Sequence, residues 1–172
     1  MLLAVAVAPP AGSAEAPHYR LEEGVRLGRE MRPVIARIAA EFHRRTGRGI
    51  VITSGTRSPR EQADAMYDKL RLGQRLTSLY LDYGAASEIQ TAYHDHRRRG
   101  RARAVSAMAR VIEGQIARGC FISRHLRSSA ADVRSRDMTR RQRRIFEQVV
   151  ARERRVSMLE EGTPPHFHLQ LD

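Results

Sequence analysis

The apolar residues of this chain recur with two different periods, and the period changes where the turn residues sit. Val34, Ile35, Ile38 and Phe42 share one face of a 3.6-residue repeat between Pro33 and Gly47, which predicts an amphipathic helix. Pro33 suits the opening turn, because the first helical N–H groups have no partner within the helix. Gly49-Ile50-Val51-Ile52-Thr53-Ser54-Gly55 follows, a β-branched run bounded by glycines that reads as a strand. Ser58-Pro59-Arg60-Glu61 is a capping box with proline at the first helical position, so a helix is expected from Pro59 to about Leu72. Gly55-Thr56-Arg57 then lies on a tight strand-to-helix turn.

The stretch from about Ala85 to Ile116 reads as helix in two pieces, split by the polar run from His94 to Arg101. Val105, Met108, Ile112 and Ile116 line one face of the second piece, and Gly119 stops it. Cys120-Phe121-Ile122-Ser123 is expected to be a short strand, with Ala130-Ala131-Asp132-Val133 as its neighbour after a turn. Thr139-Arg140-Arg141-Gln142 is a second capping box, opening a helix that buries Ile145, Phe146, Val149 and Val150. Val156–Leu159 and His166–Leu171 read as strands. In the last, Phe167, Leu169 and Leu171 alternate with His166, His168 and Gln170. Helices come first and strands cluster late, which predicts an α+β fold: a small antiparallel sheet packed with helices.

Composition narrows the class. The chain has 172 residues, a length that fits one domain. Its 41% hydrophobic and 29% charged residues fit neither a disordered tail nor a membrane-spanning protein. Aromatics are 5% and Trp is absent, so Ala, Val, Ile, Leu and Met must build the core, and a bound metal would help it. The single cysteine excludes an intrachain disulfide framework.

Met1 to Ala8 is a short apolar run, followed by small residues and an A-x-A pattern at Ala14-Glu15-Ala16. Residues 1–16 are expected to be a signal peptide or disordered leader, and 17–172 one domain. The run is too short to span a bilayer, so the mature protein is expected to be soluble or peripheral, in the periplasm or secreted.

Lys+Arg number 31 against 19 Asp+Glu, a formal charge of +12, and Lys69 is the one lysine. Such a surface attracts polyanions such as nucleic acid, anionic lipid or an acidic cell-wall polymer. Arg97–Arg103 and Arg140–Arg144 are the densest runs, and a solvated helix face would look the same. Nucleic acid is the weaker reading, since aromatic interleaving is sparse and no known binding motif is present.

Of seven histidines, His125, His166 and His168 stand out. His125 and Asp132 are separated by a turn, which can bring an imidazole and a carboxylate to one point. His166 and His168 project from one face of a strand. Two His and one Asp supply three N/O ligands, the number that catalytic zinc takes while keeping a position open. A salt bridge on one side and a chance H-x-H on the other would use the same residues. His94 and His96 read as solvated, His43 as complementing a helix C-terminus, His18 as part of the leader, and Cys120 as a buried strand thiol.

Ser54-Gly55-Thr56-Arg57-Ser58, then Ser123-x-His125-x6-Asp132, then His166-x-His168 resemble the three signatures of the LAS metallopeptidases. That family includes D-Ala-D-Ala carboxypeptidases, murein endopeptidases and the hedgehog signalling domain. The motifs occur in order between about Pro33 and Leu171. The resemblance implies a hedgehog/DD-peptidase-like fold and a Zn2+ ion held by His125, Asp132 and His168. His166 would be the base or oxyanion stabiliser, and Arg57 would reach a substrate carbonyl or carboxylate. A zinc-activated water would cleave D-amino-acid-containing peptides of peptidoglycan. A monomer is expected, with no nucleic-acid partner and no membrane span. Two positions depart from the family pattern. Ser128 stands where a glycine is usual, and Pro165 where some members carry a catalytic Glu. The alternative is a non-catalytic, zinc-containing module of the same fold that binds cell wall or another polyanion.

Overall fold

A computed structural model describes residues 17–172. The expected leader, residues 1–16, lies outside the described residues. The first helix, α1 (Met31–Thr46), buries Val34, Ile35, Ile38 and Phe42 as the pattern requires. It ends on Gly47, whose φ of 68° lets its N–H reach back to the His43 carbonyl. Strand β2 (Ile50–Ser54) follows, and helix α2 (Pro59–Arg71) opens with both halves of the Ser58–Glu61 capping box in place. After a one-turn helix, α3 (Leu76–Leu79), come α4 (Tyr83–His96) and α5 (Arg101–Ala117). They are split at Arg97–Arg99, as the polar run predicts. Helix α6 (Arg140–Val150) carries the Thr139–Gln142 capping box.

A five-stranded sheet has the order β1-β2-β3-β5-β4, with β1 Tyr19–Leu21, β3 Ala130–Arg134, β4 Val156–Gly162 and β5 Pro165–Leu171. The fold is mixed α+β. The pairs β2–β3, β3–β5 and β5–β4 are antiparallel, but β1 runs parallel to β2, so the sheet is not wholly antiparallel. Strand β1 was not legible in the sequence: it is three residues long and gains its hydrogen bonds only from β2. His18, read as leader, is built into this edge. Its carbonyl accepts from Ile50 N at 3.1 Å, and its ring stacks on His43 with centroids 3.9 Å apart.

A further correction concerns Cys120–Ser123, which forms no strand; β3 pairs instead with β2 and β5. The segment turns off the end of α5 and enters a 3-10 turn over Arg124–Arg127. Cys120 is therefore half-buried in a turn, with Sγ 3.4 Å from Asp82 Oδ2.

Two apolar cores form. One lies between the sheet and helices α1 and α6, where Phe146 packs between Phe42 (5.7 Å, edge-on) and Phe167 (5.0 Å, stacked). Truncating such a buried Phe to Ala costs about 3–5 kcal/mol. The other core is formed by α2–α5 around Met66, Ile89, Met108 and Ile112. Between the other face of the sheet and α2–α3 runs a cleft of about 1080 Å³.

Candidate metal centre

Local sequence places each side chain at the cleft floor. Asp132 on β3 and His168 on β5 are cross-strand partners, so the ladder sets their side chains side by side on the cleft face. His125 comes from the 3-10 turn, whose start is capped by the Ser123 hydroxyl accepting from His125 N. Ser128 ends that turn with φ 59° and ψ 20°. The left-handed corner that a glycine would favour is thus formed here by serine, at some cost in strain.

His125, Asp132 and His168 each offer one ligand atom, and these atoms lie within 4.8 Å of one another. The group could hold a metal ion. Asp132 Oδ1 is 2.9 Å from His168 Nδ1 and 3.3 Å from His125 Nε2. His125 is oriented from behind: its Nδ1 lies 2.5 Å from the carbonyl oxygen of Gly55. A carbonyl only accepts, so Nδ1 carries a proton, and Nε2 is the ring nitrogen turned toward Asp132. Outer partners of this kind fix both the tautomer and the direction of a ligating imidazole.

Arg57 stands on the strand-to-helix turn that the sequence predicts. Its Nη2 donates to Asp132 Oδ2 at 3.0 Å, its Nε to Ser54 Oγ at 2.8 Å and its Nη1 to Gln62 Oε1 at 3.2 Å. Its guanidinium is thus fixed on the second oxygen of the central carboxylate. Burial alone would raise the Asp132 carboxyl. Hydrogen bonds with His125 and His168 and the charge of Arg57 outweigh that and hold it far below the ordinary carboxylate range. It is an anion at neutral pH, as a ligand must be.

His166 lies two residues from His168 on the same face, as the alternation predicts, and is not part of the closest cluster. Its Nδ1 donates to the Pro164 carbonyl at 2.6 Å, which turns Nε2 inward. That Nε2 is 3.7 Å from Asp132 Oδ1 and 3.8 Å from Glu161 Oε2.

Sequence reasoning left the rest of the wall unassigned. Glu161 on β4 is the cross-strand partner of His166, and its carboxylate meets Lys69 of α2 at 2.8 Å. Burial raises this carboxyl, and the hydrogen bond and charge of Lys69 more than reverse that, so its pKa falls below the usual value. The one lysine in an arginine-rich chain was the available signal. Gln62 is fully buried; it accepts from Arg57 and donates to Tyr80 Oη at 3.3 Å. Its signal was a polar residue on the buried stripe of α2.

The donor set fits a metal of intermediate softness: two imidazole nitrogens and one carboxylate oxygen, with the other carboxylate oxygen already engaged. No family model matches the sequence, no curated protein does, and no solved structure matches the fold, so the reading of this centre rests on its own residues.

Proposed function

We propose that this protein is a zinc-dependent peptidase of the LAS type that hydrolyses D-amino-acid-containing peptides of bacterial peptidoglycan, acting as a monomer in the periplasm or outside the cell. The observation that carries the reading is the convergence of His125 Nε2, Asp132 Oδ1 and His168 Nδ1 at the floor of an open cleft. The order and spacing of the Arg57, His125–Asp132 and His166–His168 motifs, which resemble that family, support it.

Zinc bound at such a centre lowers the pKa of water toward about 7 and polarises a carbonyl. The protein supplies the rest. Arg57 keeps Asp132 ionised and its Oδ1 turned to the two imidazoles. His166 presents Nε2 3.7 Å from Asp132 Oδ1, within one hydrogen bond of any water or carbonyl seated beside the ligands. It takes up a proton there or donates to a developing oxyanion. Glu161, 3.8 Å from the same nitrogen, faces the positive charge that proton uptake creates.

The test is incubation of zinc-loaded protein with peptidoglycan and mass spectrometry of the released muropeptides, beside His125→Ala. Release by the wild type alone is expected. Equal release by both removes the metal mechanism, and one bound zinc per chain without release replaces the peptidase by the non-catalytic binding module.

A further inference from the structure

Tyr80 directly follows α3 and lines the same cleft as His125, Asp132 and His168. Its ring packs against the second apolar core. Its hydroxyl meets Gln62, on the buried stripe of α2, at 3.3 Å.

The direction of that bond is fixed one step further back. Gln62 is fully buried, and its carboxamide has one accepting and one donating end. The Arg57 guanidinium can only donate, and its Nη1 lies 3.2 Å from Gln62 Oε1. Oε1 is therefore the end turned to Arg57, and Nε2 the end turned to Tyr80. Tyr80 Oη must accept, so its own proton points away from Gln62. Arg57 donates to Asp132 on one side and to Gln62 on the other. Its charge polarises the Gln62 amide, which in turn strengthens the Tyr80 O–H as a donor.

Burial raises the pKa of this hydroxyl above the ordinary phenol value, and the charges of Lys69 and Arg57 offset that only in part. The proton therefore stays in place at neutral pH. The two cations that act on the hydroxyl are both already paired with carboxylates, Arg57 with Asp132 and Lys69 with Glu161. What Tyr80 adds to this wall is a neutral donor, which suits an uncharged acceptor such as a peptide carbonyl oxygen. The helical wall presents Tyr80 and the sheet presents His166 and His168, so a peptide between them is met from both sides.

We propose that Tyr80 is a substrate-binding residue: its O–H donates to a carbonyl oxygen of the peptide in the cleft and holds that backbone over the metal centre. The choice of a peptide as ligand rests on the peptidase reading, whereas the outward-pointing donor does not.

Tyr80→Phe deletes the hydroxyl and keeps the ring. With zinc-loaded protein and diacetyl-L-lysyl-D-alanyl-D-alanine, KM is expected to rise about tenfold, the worth of one hydrogen bond, while kcat stays within about twofold. Zinc affinity, read by competition against a chromogenic chelator, is expected to stay at the wild-type value. Gln62→Glu keeps the shape but replaces the amide by a group that only accepts, so the Tyr80 proton turns inward. The same rise in KM is expected with the tyrosine still present, and no further rise in the double variant. Wild-type KM in Tyr80→Phe overturns the proposal while hydrolysis stands, as does a loss confined to kcat or a parallel loss of zinc affinity. A loss with the free acid but not with its C-terminal amide makes the partner a terminal carboxylate and overturns the carbonyl assignment. Wild-type protein that binds the peptide by calorimetry without cutting it removes the peptidase; the proposal then stands on about tenfold weaker binding by Tyr80→Phe and falls on equal binding. Wild-type protein that neither binds nor cuts removes both.

Discussion

His125 Nδ1 hydrogen-bonds the carbonyl oxygen of Gly55 at 2.5 Å, joining a metal-ligand candidate to the turn that follows β2. The two residues are 70 apart in sequence. Gly55 is held close from the other side as well: a Cβ on it would lie 2.1 Å from the Arg26 carbonyl oxygen. A side chain there must push the backbone that orients His125. Gly55→Ala is therefore expected to destabilise the fold by about 1–3 kcal/mol and to weaken zinc binding about 10–100-fold. Thermal unfolding and zinc titration read the two effects. Wild-type zinc affinity in a destabilised variant would remove the orienting role.

Arg57 spans Ser54, Gln62 and Asp132 through all three guanidinium nitrogens. A lysine ammonium cannot reproduce that planar fork. Arg57→Lys is expected to lower zinc affinity about 10–100-fold, because Asp132 loses the partner of its second oxygen. Competition against a chromogenic chelator measures this directly.

Ser128 holds φ 59° at the end of the 3-10 turn. A left-handed residue costs about 1–2 kcal/mol with an L side chain, and glycine returns about 0.5–1 kcal/mol of that as chain entropy. Ser128→Gly is expected to raise stability by up to about 1 kcal/mol, and the β-branched Ser128→Val to lower it. Urea denaturation of the pair checks both signs.

The Lys69–Glu161 pair should leave a pH signature. The folded pKa of Glu161 lies below its reference value of 4.5. Its contribution is therefore fully present above about pH 4.5 and is lost as pH falls through the folded value. Lys69→Met removes the contribution. The stability gap between wild type and variant is expected to be constant from pH 7 to 5 and to close in more acidic solution. A gap that persists at pH 3 would point to lost packing of the lysine stem.

Chelation offers the last test. A metal that binds only the folded state stabilises it by about 4 kcal/mol at a thousandfold excess over its dissociation constant. EDTA is expected to lower the melting temperature of zinc-loaded wild type and to leave His168→Ala unchanged.

What the chain states locally, it states well. The capping boxes at Ser58 and Thr139, the stop at Gly47 and the alternation in β5 all depend on residues within one or two turns, and each forms as read. Residue types and spacing marked His125, Asp132, His166 and His168 as possible ligands, the resemblance to the LAS motifs implied His125, Asp132 and His168 among them, and these three do come together as a group that could hold a metal. Tertiary structure decided the rest, because the energies involved come from partners distant in sequence. Tyr19–Leu21 is a strand only because β2 offers it a parallel edge. Cys120–Ser123 is β-branched and aromatic enough for a strand, yet no neighbour supplies a ladder, so it turns. Arg57 turns to Asp132 because a buried carboxylate draws the nearest guanidinium, and Lys69 meets Glu161 only because the cleft walls approach each other. Short-range order follows from the backbone's own hydrogen bonds and rotamers, whereas the centre exists only once segments 36 and 75 residues apart are packed together.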